Sequence, residues 1–129
     1  MRLLLDTHIL LWAIGEPSKL PRAAREAILD ASNEVLFSAA SIWEIAIKSQ
    51  LRRADFVANP ESIARAAVES GFDELPLRAQ HGALTARLPG HHRDPFDRLL
   101  VAQAITEPAR LLTVDSALRP YSELVVVLA

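Results

Sequence analysis

Two rhythms of apolar and polar positions run along this chain. Short runs of branched apolar residues, Leu3-Leu4-Leu5, Val35-Leu36-Phe37, Leu111-Leu112-Thr113-Val114 and Leu124 to Leu128, are each bounded by polar residues or turn formers. Such runs are expected of strands buried within a sheet. Between them lie segments with helical spacing. Ile9 to Ile14 predicts a short apolar helix ended by Gly15-Glu16-Pro17, and Ser18-Lys19-Leu20-Pro21 leads into a second over Ala23 to Ala31. From Ala39 to about Leu51 the apolar residues Ile42, Trp43, Ile45, Ala46 and Ile47 predict a third helix. Its polar stripe holds Ser41, Glu44 and Lys48, at i, i+3 and i+7.

Asn59-Pro60-Glu61 opens a further helix to about Ser70, where Gly71 stops it. Phe72 to Leu77 reads as a strand despite its acids, and Arg78 to Leu88 as helical. Pro89-Gly90-His91-His92-Arg93 has the composition of a loop. Asp94-Pro95-Phe96-Asp97 then starts a helix with Phe96, Leu99, Leu100 and Gln103 at helical spacing, and Ser116 to Pro120 is a turn or short helix. Strands alternating with helices predict an α/β fold of three layers, αβα, around a mainly parallel five-stranded sheet. No repeat, low-complexity tract or linker interrupts residues 1–129, which read as a single domain.

Composition narrows this picture. Half of the 129 residues are hydrophobic and 23% are charged, the balance of a folded globular protein. Asp6 and His8 interrupt the apolar start and no small-residue cleavage site follows, so Met1-Arg2-Leu3-Leu4-Leu5 does not read as a signal peptide. No apolar run approaches the roughly 18 residues that span a bilayer. The absence of cysteine removes disulfides and thiolate metal sites and fits a cytoplasmic protein. A net charge of −2 argues against coating nucleic acid by bulk electrostatics. It leaves room for a nuclease whose carboxylates are neutralised by metal ions. The bases are mostly arginine, including Arg22, Arg25, Arg52, Arg53, Arg93 and Arg98, and only Lys19 and Lys48 are lysines. Arginine's planar fork suits phosphate, although for any one of these side chains a solvated surface is the favoured reading.

The candidate chemistry lies at the junctions. Asp6 follows the first strand and Asp115 the fourth, Asp97 falls in the first turn of a helix, and Glu44 falls early in the helix after the second strand. In a parallel sheet all four positions share the carboxyl edge, where open α/β folds bind ligands. Each acid alone has a plain structural reading. Asp6 and Asp115 suit N-caps, Asp94-Pro95-Phe96-Asp97 has the form of a capped helix start, and Glu44 can pair with Lys48. Together they would repel one another unless a cation sits among them. Hard oxygen ligands point to Mg²⁺ or Mn²⁺, which orient and polarise phosphodiesters.

Four segments in this order resemble the motifs of PIN-domain proteins, in particular VapC-type toxins of bacterial toxin–antitoxin pairs. They are Leu5-Asp6-Thr7-His8, Ser38 to Lys48, Arg93 to Ala104, and Leu112-Thr113-Val114-Asp115. The resemblance covers nearly the whole chain, and the two middle segments are the most diagnostic. It implies a PIN-like fold and a metal-dependent endoribonuclease with Asp6, Glu44, Asp97 and Asp115 as the acidic Mg²⁺ or Mn²⁺ site. Asp94 stands beside that site as a cap or a further ligand. Thr7, Ser38 and Thr113 match small hydroxyl positions that hydrogen-bond acids or water, and Arg98 matches a position near the substrate phosphate. The resemblance further implies an RNA substrate, a cognate antitoxin protein and a homodimer. In one departure, the glycine often found after the Glu44 helix is Arg52 or Arg53 here.

Other readings stay open at this level. A PIN fold that pairs with an antitoxin without useful catalysis is one. A haloacid-dehalogenase-type phosphatase also begins with an Asp after strand one, but it needs a second Asp where this chain has His8. His8 is placed to contact substrate, whereas the adjacent His91 and His92 make a poor zinc pair. Trp12 and Trp43 read as core or as a dimer surface.

Overall fold

The leucines of the first apolar run form the middle strand of a five-stranded sheet in the computed structural model, which describes residues 1–51, 58–90 and 94–128. The strands are β1 (Arg2–Leu5), β2 (Glu34–Ser38), β3 (Asp73–Leu75), β4 (Arg110–Thr113) and β5 (Val125–Val127). They lie in the order β3-β2-β1-β4-β5, and every neighbouring pair is parallel. The sheet is therefore wholly parallel. Leu4 lies opposite Leu36 on one side and Leu111 on the other.

Six α-helices are seen among the described residues: α1 (Thr7–Gly15), α2 (Arg22–Leu29), α3 (Ala39–Gln50), α4 (Pro60–Glu69), α5 (Ala79–Thr85) and α6 (Pro95–Thr106). Short 3₁₀ turns cover Pro17–Lys19 and Ser116–Tyr121. The two-residue period of the strands divides the core into two layers. Leu4, Leu36 and Leu111 face Leu100, Val101 and Ala104 of α6. Leu3, Leu5, Val35, Phe37 and Leu112 face the other way, onto Ile9 and Leu10 of α1, Ala24 of α2 and Ala67 of α4. Strands covered on both faces need no polar alternation, which is why they read as unbroken apolar runs.

Helix starts are set by side-chain caps. Asp6 accepts from the Ile9 N–H, Ser38 from Ala40, Asn59 from Ser62 and Asp94 from Phe96. Gly71, at φ 91°, follows α4 in the left-handed region that a glycine enters without steric cost. The acid-bearing β3 is only Asp73–Leu75, shorter than the expected Phe72 to Leu77, because it is an edge strand whose ladder joins β2 alone.

Two expectations need revision or fall elsewhere. Trp43 is not core: it is 55% exposed and packs edge-on against Phe96, with ring centroids 5.4 Å apart. Trp12 is half-buried against the α1 side of the core. Arg52 and Arg53 at the exit of α3, and His91, His92 and Arg93 of the expected loop, lie outside the described residues.

The chain runs outward from β1 to β2 and β3, then returns to place β4 on the opposite side of β1. The carboxyl ends of β1 and β4 therefore flank the point where the winding reverses, the usual crevice of such sheets. At the amino edge one cation serves two acids, since the Arg2 guanidinium meets both Glu34, at 3.3 Å, and Glu107, at 3.1 Å. Leu4 is fully buried in the middle of the sheet. Leu4→Ala should lower unfolding free energy by about 2–5 kcal/mol, measured by urea denaturation.

Candidate metal centre

Five carboxylates from separate parts of the chain line one cleft at the carboxyl edge. The cleft has a volume of about 240 Å³ and is lined by Asp6, Thr7, His8, Glu44, Lys48, Asp94, Asp97, Val114 and Asp115. Asp6 is delivered by β1, Glu44 and Lys48 by α3, Asp94 and Asp97 by the start of α6, and Asp115 by the segment after β4. All four acids expected from the junction pattern, and Asp94 with them, thus face a common space.

Asp6 sits deepest of the sheet-borne acids, only 5% exposed. Its backbone N–H donates to the Leu112 carbonyl at 3.0 Å, extending the β1–β4 ladder by one bond and fixing its carboxylate at the crevice. One carboxylate oxygen accepts from the Ile9 N–H at 2.8 Å, and the other accepts from the Thr113 hydroxyl. Thr113 is itself held, because its hydroxyl oxygen accepts from the Asp115 N–H at 3.0 Å. Burial pushes the Asp6 pKa above the ordinary carboxylate value; the Thr113 hydroxyl, the Ile9 N–H and His8 oppose this, and the nearby Glu44 charge adds to it.

Glu44 is also buried, at 3% exposed. Its two oxygens are clamped from opposite sides, one by the Thr7 hydroxyl at 2.5 Å and the other by the Lys48 ammonium at 2.6 Å. The Thr7 and Ser41 hydroxyl oxygens are 3.0 Å apart. Lys48 reaches Asp94 as well, at 3.5 Å, so its charge spans α3 and the start of α6. Burial works against this ammonium, but the Glu44 and Asp94 carboxylates outweigh it and raise the Lys48 pKa above the ordinary lysine value. Asp94 also caps α6, and Asp115 caps the following 3₁₀ turn through the Ala117 N–H. Capping and cleft lining are thus compatible roles for one side chain.

The donors are hard oxygens, which suit Mg²⁺ or Mn²⁺ and not a soft ion. Among the described residues no three histidine, aspartate or glutamate side chains stand close enough together to hold a metal ion as they are placed. An open arrangement fits Mg²⁺, which keeps several waters and is commonly held by one or two carboxylates together with a substrate phosphate.

Two expected neighbours of the site are placed elsewhere. Ser38 is fully buried, and its hydroxyl donates to the Gln103 side-chain oxygen while accepting from the Ala40 N–H. It joins α3 to α6 and does not line the acid cleft. The Arg98 guanidinium donates to the Thr85, Leu88 and Pro89 carbonyls and to the Tyr121 hydroxyl. It closes the carbonyl-rich end of α5 and does not line the acid cleft. Of the residues on the Glu44 stripe, Lys48 lines the cleft and Ser41 is buried beside Thr7, a difference that spacing alone does not reveal. Gln103, a polar residue fully buried on an apolar helix, was the signal for the Ser38 contact.

The Asp6 shift carries a pH dependence. A carboxyl whose folded pKa is raised contributes stability below its ordinary value and loses it as pH rises through the folded pKa. Without divalent ions, Asp6→Asn should therefore melt above the parent chain at neutral pH, with the difference shrinking toward acid pH. Calorimetric melting in a chelator across pH 4–8 measures this.

Comparison with known proteins agrees with this geometry. Residues 3–124 match the sequence model of the PIN domain. The chain is 33% identical over 123 residues to Ribonuclease VapC22 of Mycobacterium tuberculosis (strain ATCC 25618 / H37Rv), covering 92% of this chain and 90% of that protein. Among solved structures it is similar to VapBC2 from Rickettsia felis bound to a DNA fragment from their promoter, with a TM-score of 0.70, 16% identity and coverage of 98% and 97% of the two chains. It is also similar to VapBC-1 from nontypeable Haemophilus influenzae, with a TM-score of 0.54, 20% identity and coverage of 87% and 85%. With the acids of four separate segments gathered at the switch point of a parallel sheet, and with that match over almost its full length, the chain belongs to the PIN domain family.

Proposed function

We propose that this protein is an endoribonuclease acting as the toxin of a toxin–antitoxin pair, and that it uses Mg²⁺ or Mn²⁺ held by Asp6, Glu44, Asp97 and Asp115. The observation that carries the metal-dependent reading is the shared cleft, where five carboxylates meet far from the paired charges of the amino edge. The ribonuclease reading is supported by the similarity to Ribonuclease VapC22 along nearly all of both chains. The antitoxin reading is supported by the likeness to VapBC2 and VapBC-1. A homodimer and a cytoplasmic location belong to the same reading, and no helix among the described residues is long and apolar enough to cross a membrane.

A divalent ion would supply Lewis acidity and positive charge where the phosphodiester gains negative charge. The protein's own groups prepare the space for it. Ile9 and Thr113 hold both oxygens of Asp6, so its carboxylate cannot rotate away from the cleft. Thr7 and Lys48 do the same for Glu44. Asp97 and Asp115 extend the negative lining of the cleft, which His8 shares. Hydrolysis adds the elements of water across the bond between phosphorus and the 3′ oxygen. The water oxygen bonds to phosphorus, and a proton ends on the leaving oxygen, giving 5′-phosphate and 3′-hydroxyl ends. Single-stranded loops of structured RNA are the substrates whose bases are open to such a cleft.

Purified antitoxin-free protein should cleave structured RNA in Mg²⁺ or Mn²⁺ and lose that activity in chelator. Asp6→Asn and Glu44→Gln should each reduce cleavage by at least about 100-fold while the far-ultraviolet circular dichroism stays that of the parent. Gel mapping of labelled RNA ends checks both points. Cleavage that persists in chelator, or in Asp6→Asn, contradicts the proposal.

A further inference from the structure

A cation already stands inside the acid cleft. The Lys48 ammonium lies 2.6 Å from Glu44 and 3.5 Å from Asp94, with a side chain only 15% exposed. Its charge also lies 5.8 Å from the centre of the Phe96 ring, on whose face a cation is attracted. Being on α3 while Asp94 caps α6, it ties together two helices that bring acids to the cleft.

We propose that Lys48 is a positioning residue, an internal counter-cation that holds Glu44 in place and sets how tightly the cleft takes a divalent ion. This rests on the metal-dependent reading above. Two consequences follow from the same charge, with opposite signs. A fixed positive charge between Glu44 and Asp94 offsets their mutual repulsion, and it also repels an incoming dication. Removing it leaves the cleft more negative, so the ion should bind more tightly. Glu44, however, keeps only the Thr7 clamp and loses its fixed orientation, so turnover should fall. A side chain that merely supported the fold would, when removed, weaken both binding and turnover.

The experiment uses the full chain, with Lys48→Met, Lys48→Gln and Lys48→Arg, and Mn²⁺ as the probe. Mn²⁺ is titrated by calorimetry and by melting temperature, and RNA cleavage is measured at saturating Mn²⁺. Lys48→Met and Lys48→Gln should melt below the parent in chelator, yet reach half-saturation at about tenfold lower Mn²⁺. Their kcat should fall about tenfold or more with KM for RNA little changed. Lys48→Arg retains the charge and should keep the parent's Mn²⁺ midpoint within about threefold. Because the two neutral variants differ in polarity, failure of one to fold leaves the other to decide. If the folded neutral variant binds Mn²⁺ at the parent's midpoint or more weakly, the counter-cation proposal is overturned while the metal reading stands. If the parent itself binds no Mn²⁺, both are overturned together.

Discussion

Placing a carboxylate in a buried position at the end of the central strand is the constraint to which the rest of this edge responds. An isolated buried carboxylate is strongly disfavoured, and Asp6 is tolerated because its surroundings supply donors to both oxygens. The sheet and the helix cooperate in this. β1 and β4 are held in register by their ladder, which brings the Thr113 hydroxyl to Asp6, and α1 begins where its third residue, Ile9, can donate its N–H. Glu44 repeats the solution on α3 with different parts, a hydroxyl from α1 and an ammonium from its own helix.

These acids raise one another's energy, and that tension distinguishes the two edges of the sheet. At the amino edge Arg2 pairs with Glu34 and Glu107 in an arrangement that serves folding. At the carboxyl edge five carboxylates share a cleft with Lys48 and His8, leaving an excess of negative charge. A divalent cation would relieve such an excess, which is the physical basis of the metal proposal. The caps add a second economy of structure. Asp6, Asp94 and Asp115 each stabilise a helical start while facing the same cleft, so the local role of each acid and its collective role do not conflict.

Much of this was legible in the sequence because the fold follows periodicity and the cleft follows topology. Runs such as Leu3-Leu4-Leu5 declare doubly covered strands, and acids at strand ends must share an edge once the sheet is parallel. What escaped depended on side-chain direction. Ser38 and Arg98 sit close in sequence to cleft residues, yet Ser38 turns inward to Gln103 and Arg98 turns to the carbonyls at the end of α5. A polar residue beside a motif carries no information about which of several nearby acceptors it will reach. For Trp43 the sequence left core and dimer surface open, and its exposure removes only the first, because an apolar helix residue does not declare whether it faces the sheet or outward. The i, i+4 pair of Glu44 and Lys48 was visible in sequence, but burial decides whether such a pair is a weak surface contact or part of a site.

The central claim is that the carboxyl-edge cleft is a divalent-cation site built around Asp6. Its most direct test is a crystal structure of the protein grown with Mn²⁺, with anomalous difference maps collected near the manganese absorption edge. The account predicts a peak in the cleft, coordinated by the Asp6 carboxylate and by at least one of Glu44, Asp97 and Asp115. A cleft without an anomalous peak at saturating Mn²⁺, or an ion bound away from Asp6, would contradict it.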